Sequence, residues 1–192
     1  MTDSATIPKP DKRERLVESA RVVLHRQGVQ KTTIADVATV ADVPVGNVYY
    51  YFKTKDELVE AAIDAHAREI RAALAGFERH RTPQARLKAF VRSWVDQADV
   101  AARYGCPHGC LSQELDKRDD GLDRKAAELL ELFVDWTEQQ FRLMGRRDAR
   151  DLAMTLVATF QGASLLTNSY RDPDILVRQG RRLERWIDSL SD

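Results

Sequence analysis

The chain has 192 residues, of which 43% are hydrophobic and 31% are charged, a composition that excludes a disordered chain and is typical of a folded globular protein. No apolar run approaches the ~20 residues of a membrane-spanning helix, and the N-terminal MTDSATIPKPDKRER lacks the apolar stretch of a secretion signal. We therefore expect a cytoplasmic protein without membrane contacts. The two cysteines are too few for a disulfide framework.

The net charge of zero is unevenly distributed along the chain. Residues 1–55 carry nine Lys and Arg against six Asp and Glu, so the excess of acidic residues lies in the remainder. A basic N-terminal segment favours an anionic partner, although the difference is small.

Helical periodicity runs through almost the whole chain, and no segment alternates as a half-buried strand does. The first predicted helix covers residues 11–27 and ends at Gly28. The second begins after Thr33 and ends near Ala41. The Thr33 hydroxyl followed by the Asp36 carboxylate is the pattern of a helix N-terminus.

The third predicted helix is short, from Pro44 to Tyr51, and proline suits its first turn. The fourth covers residues 55–77, with Thr54 as its cap. Five more helices are predicted at residues 83–103, 111–116, 122–144, 148–167 and 173–189. The fold class is therefore all-α, with about nine helices.

The second and third helices, joined by Asp42-Val43, form a candidate helix-turn-helix. In such a motif the second helix enters the DNA major groove. Val48 and Phe52 lie four residues apart and share a core-facing stripe, so Gly46 and the neighbouring tyrosines point away from it. Spacing alone also allows these rings to be core or protein-interface residues.

The chemistry of this short helix suits DNA. Tyrosine hydroxyls donate to phosphates and their rings contact sugars, while a glycine lets the backbone approach closely. Lys53 and Lys55 follow at the start of the fourth helix, where ammonium groups and free amides attract a phosphate. Thr32 and Thr33 could present hydroxyls to the next phosphate.

The stretch TTIADVATVADVPVGNVYYYFKTKDEL, residues 32–58, resembles the DNA-binding signature of the TetR family of bacterial transcriptional regulators. The matching positions are Thr33, Val37, Ala38, Ala41, Val43, Gly46, Tyr49, Phe52, Lys55 and Leu58. Asp42 stands where glycine is usual, and aspartate tolerates the required turn better than most residues. Pro44 replaces a small hydroxyl residue, which removes one phosphate contact.

The resemblance implies a three-helix helix-turn-helix domain at residues 1–54 and a helical ligand-binding and dimerisation domain at residues 55–192. It implies that Val45, Gly46 and Asn47 face the bases, and Asn47 suits an adenine edge. It implies phosphate contacts by Thr33, Tyr49, Tyr51 and Lys55, with Tyr50 in either role. Arg13 is either a backbone contact or a solvated cation.

A second stretch, YGCPHGCLSQEL at residues 104–115, resembles a segment of LmrA/YxaF-type regulators. Cys106, His108 and Cys110 raise the question of a metal or redox site. No fourth metal ligand lies nearby, and a disulfide across one helical turn would be strained. We interpret both thiols as small apolar side chains of the core or pocket, and expect no metal and no cofactor.

The family resemblance implies an effector pocket and a dimer in the C-terminal domain. The candidate pocket residues are Phe90, Trp94, Cys106, Leu111, Phe133, Trp136, Phe160 and Gln161. The apolar stripes expected to form the dimer interface are Leu152, Leu156, Phe160, Ala163, Leu166 and Thr167 on the eighth helix and Leu176, Leu183, Trp186, Ile187 and Leu190 on the ninth.

The function implied is a ligand-responsive repressor, a homodimer that binds a palindromic DNA operator and is released by a small-molecule inducer. Activation, or DNA binding without a ligand, are variants of this hypothesis. A helical protein-interaction module is an alternative, and it predicts no salt-dependent DNA affinity. An enzyme is disfavoured because the sequence has no catalytic triad pattern and no phosphate-binding glycine loop.

Overall fold

The computed structural model describes residues 11–190, and this part of the chain contains helices but no strand. The ten helices are α1 (Lys12–Lys31), α2 (Ile34–Ala41), α3 (Val45–Tyr51), α4 (Lys55–Phe77), α5 (Pro83–Val95), α6 (Ala98–Tyr104), α7 (Pro107–Leu115), α8 (Leu122–Leu143), α9 (Ala149–Tyr170) and α10 (Asp174–Ser189). The predicted all-α fold class is confirmed. The first ten residues of the predicted 1–54 domain, with the polar N-terminal stretch, lie outside the described residues.

The described residues form two compact units that divide inside α4, between Ala65 and His66. In the first unit, α1 begins with a capping box: the Asp11 carboxylate accepts the Glu14 N–H at 2.7 Å, and the Glu14 carboxylate accepts the Asp11 N–H at 3.2 Å. The first helix was predicted to end at Gly28; this residue, with φ 82°, breaks the helix, and helical structure resumes as far as Lys31.

The turn between α2 and α3 depends on Asp42. This residue adopts the left-handed conformation, with φ 52° and ψ 52°, as expected for the position where glycine is usual. Its N–H donates to the Ala38 and Thr39 carbonyls, and its own carbonyl accepts from Arg15 Nη2 at 3.2 Å. The turn orients α3 so that Val48 is fully buried in the first unit.

In the second unit, α5 runs antiparallel to both α8 and α10. Three pairs of side chains join α5 to α8 in opposite order: Arg86 with Gln140, Phe90 with Trp136, and Trp94 with Phe133. Ion pairs join α5 to α10 in the same manner, Lys88 with Asp188 and Arg92 with Glu184, each at 2.9 Å. The core of this unit includes the fully buried Phe90, Phe141, Leu156 and Ile187.

Two differences from the sequence prediction lie between residues 83 and 115. The predicted helix at 83–103 is two helices, because the chain leaves helical geometry at Gln97, which has φ −103° and ψ 14°. The helix predicted at 111–116 begins earlier, since α7 starts at Pro107. No helix among residues 11–190 is long and apolar enough to cross a bilayer.

Candidate nucleic-acid interface

The surface of α3 is open along the positions predicted to face DNA. Tyr50 is 77% exposed, Tyr49 49% and Val45 42%, and Gly46 and Asn47 are also exposed. Five of the eight predicted DNA-binding residues therefore lie together on one short exposed surface.

Two buried residues hold this helix in place. Val48 is fully buried and Phe52 is 3% exposed, which confirms the core stripe predicted from their spacing. The Arg13 guanidinium lies 5.3 Å from the centre of the Phe52 ring, a cation–π contact. Arg13 therefore supports α3 within the first unit.

Gly46 is not required by the packing of the chain. A Cβ atom placed there would meet no heavy atom within 4 Å, and the residue does not have a positive φ. Neither packing nor backbone conformation therefore requires a glycine at this position. The missing side chain does leave the α3 backbone accessible to a partner surface.

Thr33 caps α2. Its hydroxyl donates to Asp36 Oδ2 at 2.8 Å and accepts the Asp36 N–H at 3.1 Å, while its own N–H donates to the same carboxylate at 2.8 Å. These bonds from the Thr33 N–H and hydroxyl lower the pKa of Asp36. Its neighbour Thr32 is buried, and its hydroxyl donates to the Gly28 carbonyl at 2.7 Å, so Thr32 is not the surface residue expected from the sequence.

Two lysine ammonium groups lie near the start of α4. Lys53 Nζ donates to the Tyr49 carbonyl at 2.8 Å, and Lys55 Nζ donates to the Gln30 carbonyl at 3.4 Å. Neither forms an ion pair with a carboxylate among the described residues, so both charges are available to a phosphate. Thr54 accepts the Glu57 N–H at 3.1 Å, as predicted for the cap of α4.

Tyr51 differs from the other two tyrosines because it is half-buried. Its ring meets the Tyr50 ring edge to face, with centroids 5.0 Å apart. Tyr51 therefore orients the more exposed Tyr50 ring.

The second unit brings five of the eight predicted effector residues into one aromatic cluster: Phe90, Trp94, Phe133, Trp136 and Phe160. Phe90 is central, with its ring centroid 4.0 Å from that of Trp94 and 5.3 Å from that of Trp136. Trp94 and Phe160 stack at 3.7 Å with an angle of 17° between planes.

Two residues of α4 that were not predicted from the sequence also reach this region. Phe77 lies 5.9 Å from both Phe90 and Trp136, and the buried His66 meets His108 edge to face at 5.0 Å. Both residues lie one helical turn from other apolar residues of α4, and this periodicity could have indicated that they face the core. Within the cluster, the buried Trp136 Nε1–H has no hydrogen-bond acceptor among the described residues, so an entering ligand could accept it.

The other three predicted effector residues lie apart from these aromatic contacts. Cys106 and Gln161 line a cavity of about 180 Å³ where the start of α7 meets α9. Leu111 is buried on α7. The residues predicted to bind an effector therefore lie at two places in the second unit, the aromatic cluster and the cavity between α7 and α9.

Both thiols are free. Burial raises the pKa of Cys106, and burial together with the charge of the neighbouring thiol raises the pKa of Cys110 to about 11. Because the thiolate is the nucleophile, neither thiol suits a sensor of mild oxidants or electrophiles. Among residues 11–190 no three His, Cys, Asp or Glu side chains are grouped to hold a metal ion.

A larger surface groove, of about 720 Å³, lies between α6 and the start of α10 and includes Arg103 and Arg171. It contains none of the predicted effector residues. The Arg171 guanidinium already donates to the Ala102 carbonyl at 3.0 Å, where it caps the end of α6. Arg171 therefore has a structural role at the edge of this groove.

Both units match known protein families. Residues 16–62 match the bacterial regulatory proteins of the tetR family, and residues 83–182 match the C-terminal domain of LmrA/YxaF-like transcriptional regulators. An uncharacterised HTH-type transcriptional regulator from the lacX 3' region of Lactococcus lactis is 28% identical over 171 residues, which cover 85% of this chain and 87% of the relative.

Solved structures agree with this assignment. A regulatory protein TetR from Rhodobacter sphaeroides is 26% identical, with a TM-score of 0.80 over 91% of this chain and 97% of its own. A TetR regulator from Legionella pneumophila has the same fold, with a TM-score of 0.83 at 19% identity over 95% of this chain and 98% of its own. The family consists of DNA-binding transcription factors and not of enzymes. The chain belongs to the TetR family of bacterial transcriptional regulators, with a C-terminal domain of the LmrA/YxaF-like type.

Proposed function

We propose that this regulator is a ligand-responsive repressor. A homodimer binds a palindromic operator in the cytoplasm and leaves it when a small-molecule inducer binds residues 55–192. The observation that carries the proposal is the exposed α3 surface, which presents Val45, Gly46 and Asn47 to solvent while Val48 anchors the helix. Major-groove recognition needs such a short, anchored and accessible helix.

Within this proposal the DNA contacts divide by chemistry. Val45 and the open backbone at Gly46 approach base edges, and the Asn47 amide pairs with an adenine. Tyr49, Tyr51 and Lys55 bind phosphates, and Tyr50 reaches either a base or the backbone. Thr33 contributes at the α2 N-terminus, where its hydroxyl already serves the cap.

The dimer is proposed to form through an apolar face of α9 that a single chain leaves exposed. Met154, Leu165 and Leu166 are each about half exposed, and the small Ala158 and Gly162 lie between them on the same side. Small residues let two helices approach closely, so this face suits a second copy across a two-fold axis. The stripe first expected there is wrong in detail, because Leu156, Phe160, Ala163 and Thr167 are buried within the chain.

The α10 stripe expected at the interface also faces inward. Leu176, Leu183 and Ile187 are buried, and Trp186 meets Phe141 of α8 with ring centroids 5.8 Å apart. The contribution of α10 to a dimer would therefore come from its other, arginine-rich side.

The inducer is proposed to bind at the aromatic cluster, and α4 is the element that would report its binding. Phe77 of α4 contacts the cluster, and the same helix begins at Lys55 in the first unit. A ligand that moves Phe90 or Trp136 would displace α4. Because half-sites have a fixed spacing, a small shift of α3 would weaken operator binding.

Duplex binding tests the DNA interface. Genomic fragments retained by the protein would be sequenced, and affinity for the shared site measured across a salt series. Asn47→Ala is expected to relax preference at one base pair by about 1–3 kcal/mol, whereas Tyr49→Phe should weaken all duplexes alike through loss of one hydroxyl. Salt-independent affinity, or parental binding by both variants, would contradict the proposed interface.

The effector mechanism needs a separate measurement. Compounds that raise the melting temperature of the DNA-free protein would be titrated against the operator complex at fixed salt. A coupling free energy of about 1–3 kcal/mol between ligand and DNA is expected. A compound that saturates the protein and leaves operator affinity unchanged would contradict release by that ligand.

A further inference from the structure

The cavity of about 180 Å³ between the start of α7 and α9 has a lining that is polar but uncharged. Three of its polar side chains, Gln161, Ser164 and Asn168, are three and four residues apart and therefore share one face of α9. The lining residues that the structure describes include no Asp, Glu, Lys, Arg or His. Burial raises the pKa of Cys106 and raises that of Cys110 to about 11, so both thiols are protonated at neutral pH. The cavity therefore suits a neutral ligand.

The Ser164 hydroxyl is a buried polar group of this cavity that lacks a hydrogen bond. Ser164 is 1% exposed, and its Oγ has no partner among the described residues. A hydroxyl inside a helix often donates to the carbonyl four residues earlier, as the fully buried Thr137 of α8 does to Phe133 at 2.8 Å. Ser164 makes no such bond. Because a buried hydroxyl without a partner is costly, a ligand in the cavity that bonds to it would be stabilised.

Asn168 offers the cavity an acceptor. Its Nδ2 donates to the Ala101 and Ala102 carbonyls at 3.3 and 3.2 Å, which uses both amide hydrogens and fixes the orientation of the side chain. The Oδ1 atom of Asn168 is therefore left to accept a hydrogen bond from a ligand.

Gln161 offers a second amide oxygen, and two glycines make room for it. Gln161 Nε2 donates to Cys106 Sγ at 3.6 Å, while its Oε1 lies against Gly109, where a Cβ would overlap it. A Cβ on Gly105 would likewise lie 2.7 Å from Cys110 Sγ. Side chains at these two positions would displace groups that line the cavity.

We propose that the cavity between α7 and α9 binds a small, neutral primary carboxamide. The NH₂ group of the ligand donates to Asn168 Oδ1 and Gln161 Oε1, and its carbonyl oxygen accepts from the Ser164 hydroxyl. A short alkyl group lies beside Leu165, the apolar residue of the lining. This site is separate from the aromatic cluster, and its occupation goes beyond the proposed function.

The same groups disfavour other classes of ligand. A carboxylate has no hydrogen to donate to the two amide oxygens, and its charge would meet no cation in the described lining. A cationic amine can donate, but no carboxylate in that lining compensates its charge. An alcohol has one donor for two acceptors. A primary carboxamide has two donors, one acceptor and no charge.

Titration of the DNA-free, ¹⁵N-labelled protein with isobutyramide tests the site. The side-chain amide NMR signals of Gln161 and Asn168 should shift and saturate, with a Kd of about 1 mM for so small a ligand. Isobutyrate and N,N-dimethylisobutyramide share its carbon skeleton but have no N–H. Both should bind more weakly by about 10-fold or more.

Ser164→Ala separates ligand binding from folding. It should lower isobutyramide affinity by roughly 3- to 10-fold, while the melting temperature stays the same or rises because the lost hydroxyl had no partner. Thr167→Val is the matched control. Thr167 is a fully buried α9 residue whose hydroxyl also lacks a partner among the described residues, but it lies outside this cavity. Thr167→Val should therefore keep the parental affinity.

Access to the cavity is through its exposed residues, Gln113 of α7 and Gly162 and Leu165 of α9. Gly162 and Leu165 also belong to the α9 face proposed to form the dimer. The titration is therefore made with the parental protein and with Leu166→Glu. Binding by either form supports the site, and binding by neither overturns it.

Other outcomes would also overturn the proposal. One is equal affinity of Ser164→Ala and the parent, and another is equal binding of all three compounds. A shift of the Trp136 Nε1–H signal with the Asn168 signal unchanged would place isobutyramide at the aromatic cluster instead. Crystals grown with isobutyramide that contain only water in the cavity would exclude the site. Each readout omits DNA, so these failures would leave the proposed repression unaffected.

Discussion

Gly46 offers a direct test at the scale of one residue. Its missing side chain is not needed for packing, so Gly46→Ala should raise the free energy of unfolding by about 0.5–1 kcal/mol. The same methyl group would stand between the α3 backbone and a base edge, so duplex affinity should fall. Thermal unfolding and duplex binding at one salt concentration measure the two effects.

The matched control is Gly76→Ala on α4. This glycine is also helical, and an added Cβ would also meet nothing within 4 Å. Gly76→Ala should stabilise the protein to a similar degree without changing duplex affinity. Equal duplex affinity for both variants would mean that the α3 backbone does not approach DNA closely.

The Asp36 carboxylate is expected to make the stability of the protein depend on pH. Hydrogen bonds from Thr33 lower its pKa in the folded protein, so its stabilising contribution is present above about pH 4, the ordinary value, and is lost as pH falls through the folded value. Asp36→Asn should destabilise the protein at pH 7, and the difference from the parent should shrink towards low pH. Urea unfolding at several pH values measures it.

Thr33→Ser is the control for this prediction, because serine keeps the hydroxyl and the N–H that bind Asp36. Its stability should follow the parental pH dependence. A constant difference between Asp36→Asn and the parent at every pH would show that the charge of Asp36 has no part in capping α2.

Among the helices, the sequence predicted α2 and α3 more closely than those of the second unit. Local chemistry determines the turn at Asp42 and the cap at Thr33, and both can be read from short patterns. The break at Gln97 carries no glycine or proline and depends on packing. On α9 two apolar stripes share one helix, and periodicity alone does not determine which of them faces the chain's own core.

The antiparallel contact of α5 with α10 depends on Gly180. A Cβ at this position would overlap a methyl group of Val95, whose branched side chain has little freedom to move. Gly180→Ala should lower the free energy of unfolding by about 1–3 kcal/mol. Gly180→Ala should lower the free energy of unfolding less in a Val95→Ala background than in the parent protein. A double-mutant cycle measures this difference. Strict additivity would mean that the two helices do not meet at this point.

At the scale of the whole molecule, α4 is continuous across both compact units. Its first residue, Lys55, suits a phosphate, and its last residue, Phe77, contacts the aromatic cluster. For DNA and effector to weaken each other's binding, both must shift the equilibrium of one element between two conformations. We propose α4 as that element, because it is the helix that contributes residues to both units.

The proposed function requires a dimer, because a palindromic operator is bound by two copies of α3. Leu166→Glu places a charge on the apolar face of α9, whereas Leu143→Glu alters a somewhat more exposed leucine at the end of α8. Only Leu166→Glu should yield monomers by sedimentation. It should also weaken binding to a two-half-site duplex by about 100-fold or more, since paired contacts gain that factor through linkage.

A duplex with one half-site separates assembly from recognition in this experiment. Leu166→Glu leaves α3 unchanged, so its affinity for a single half-site should equal that of a parental protomer. If Leu166→Glu remained dimeric, the subunit contact would lie elsewhere. If it became monomeric but kept full affinity for the palindrome, one protomer would carry all of the recognition, and two-fold symmetry would have no role in binding DNA.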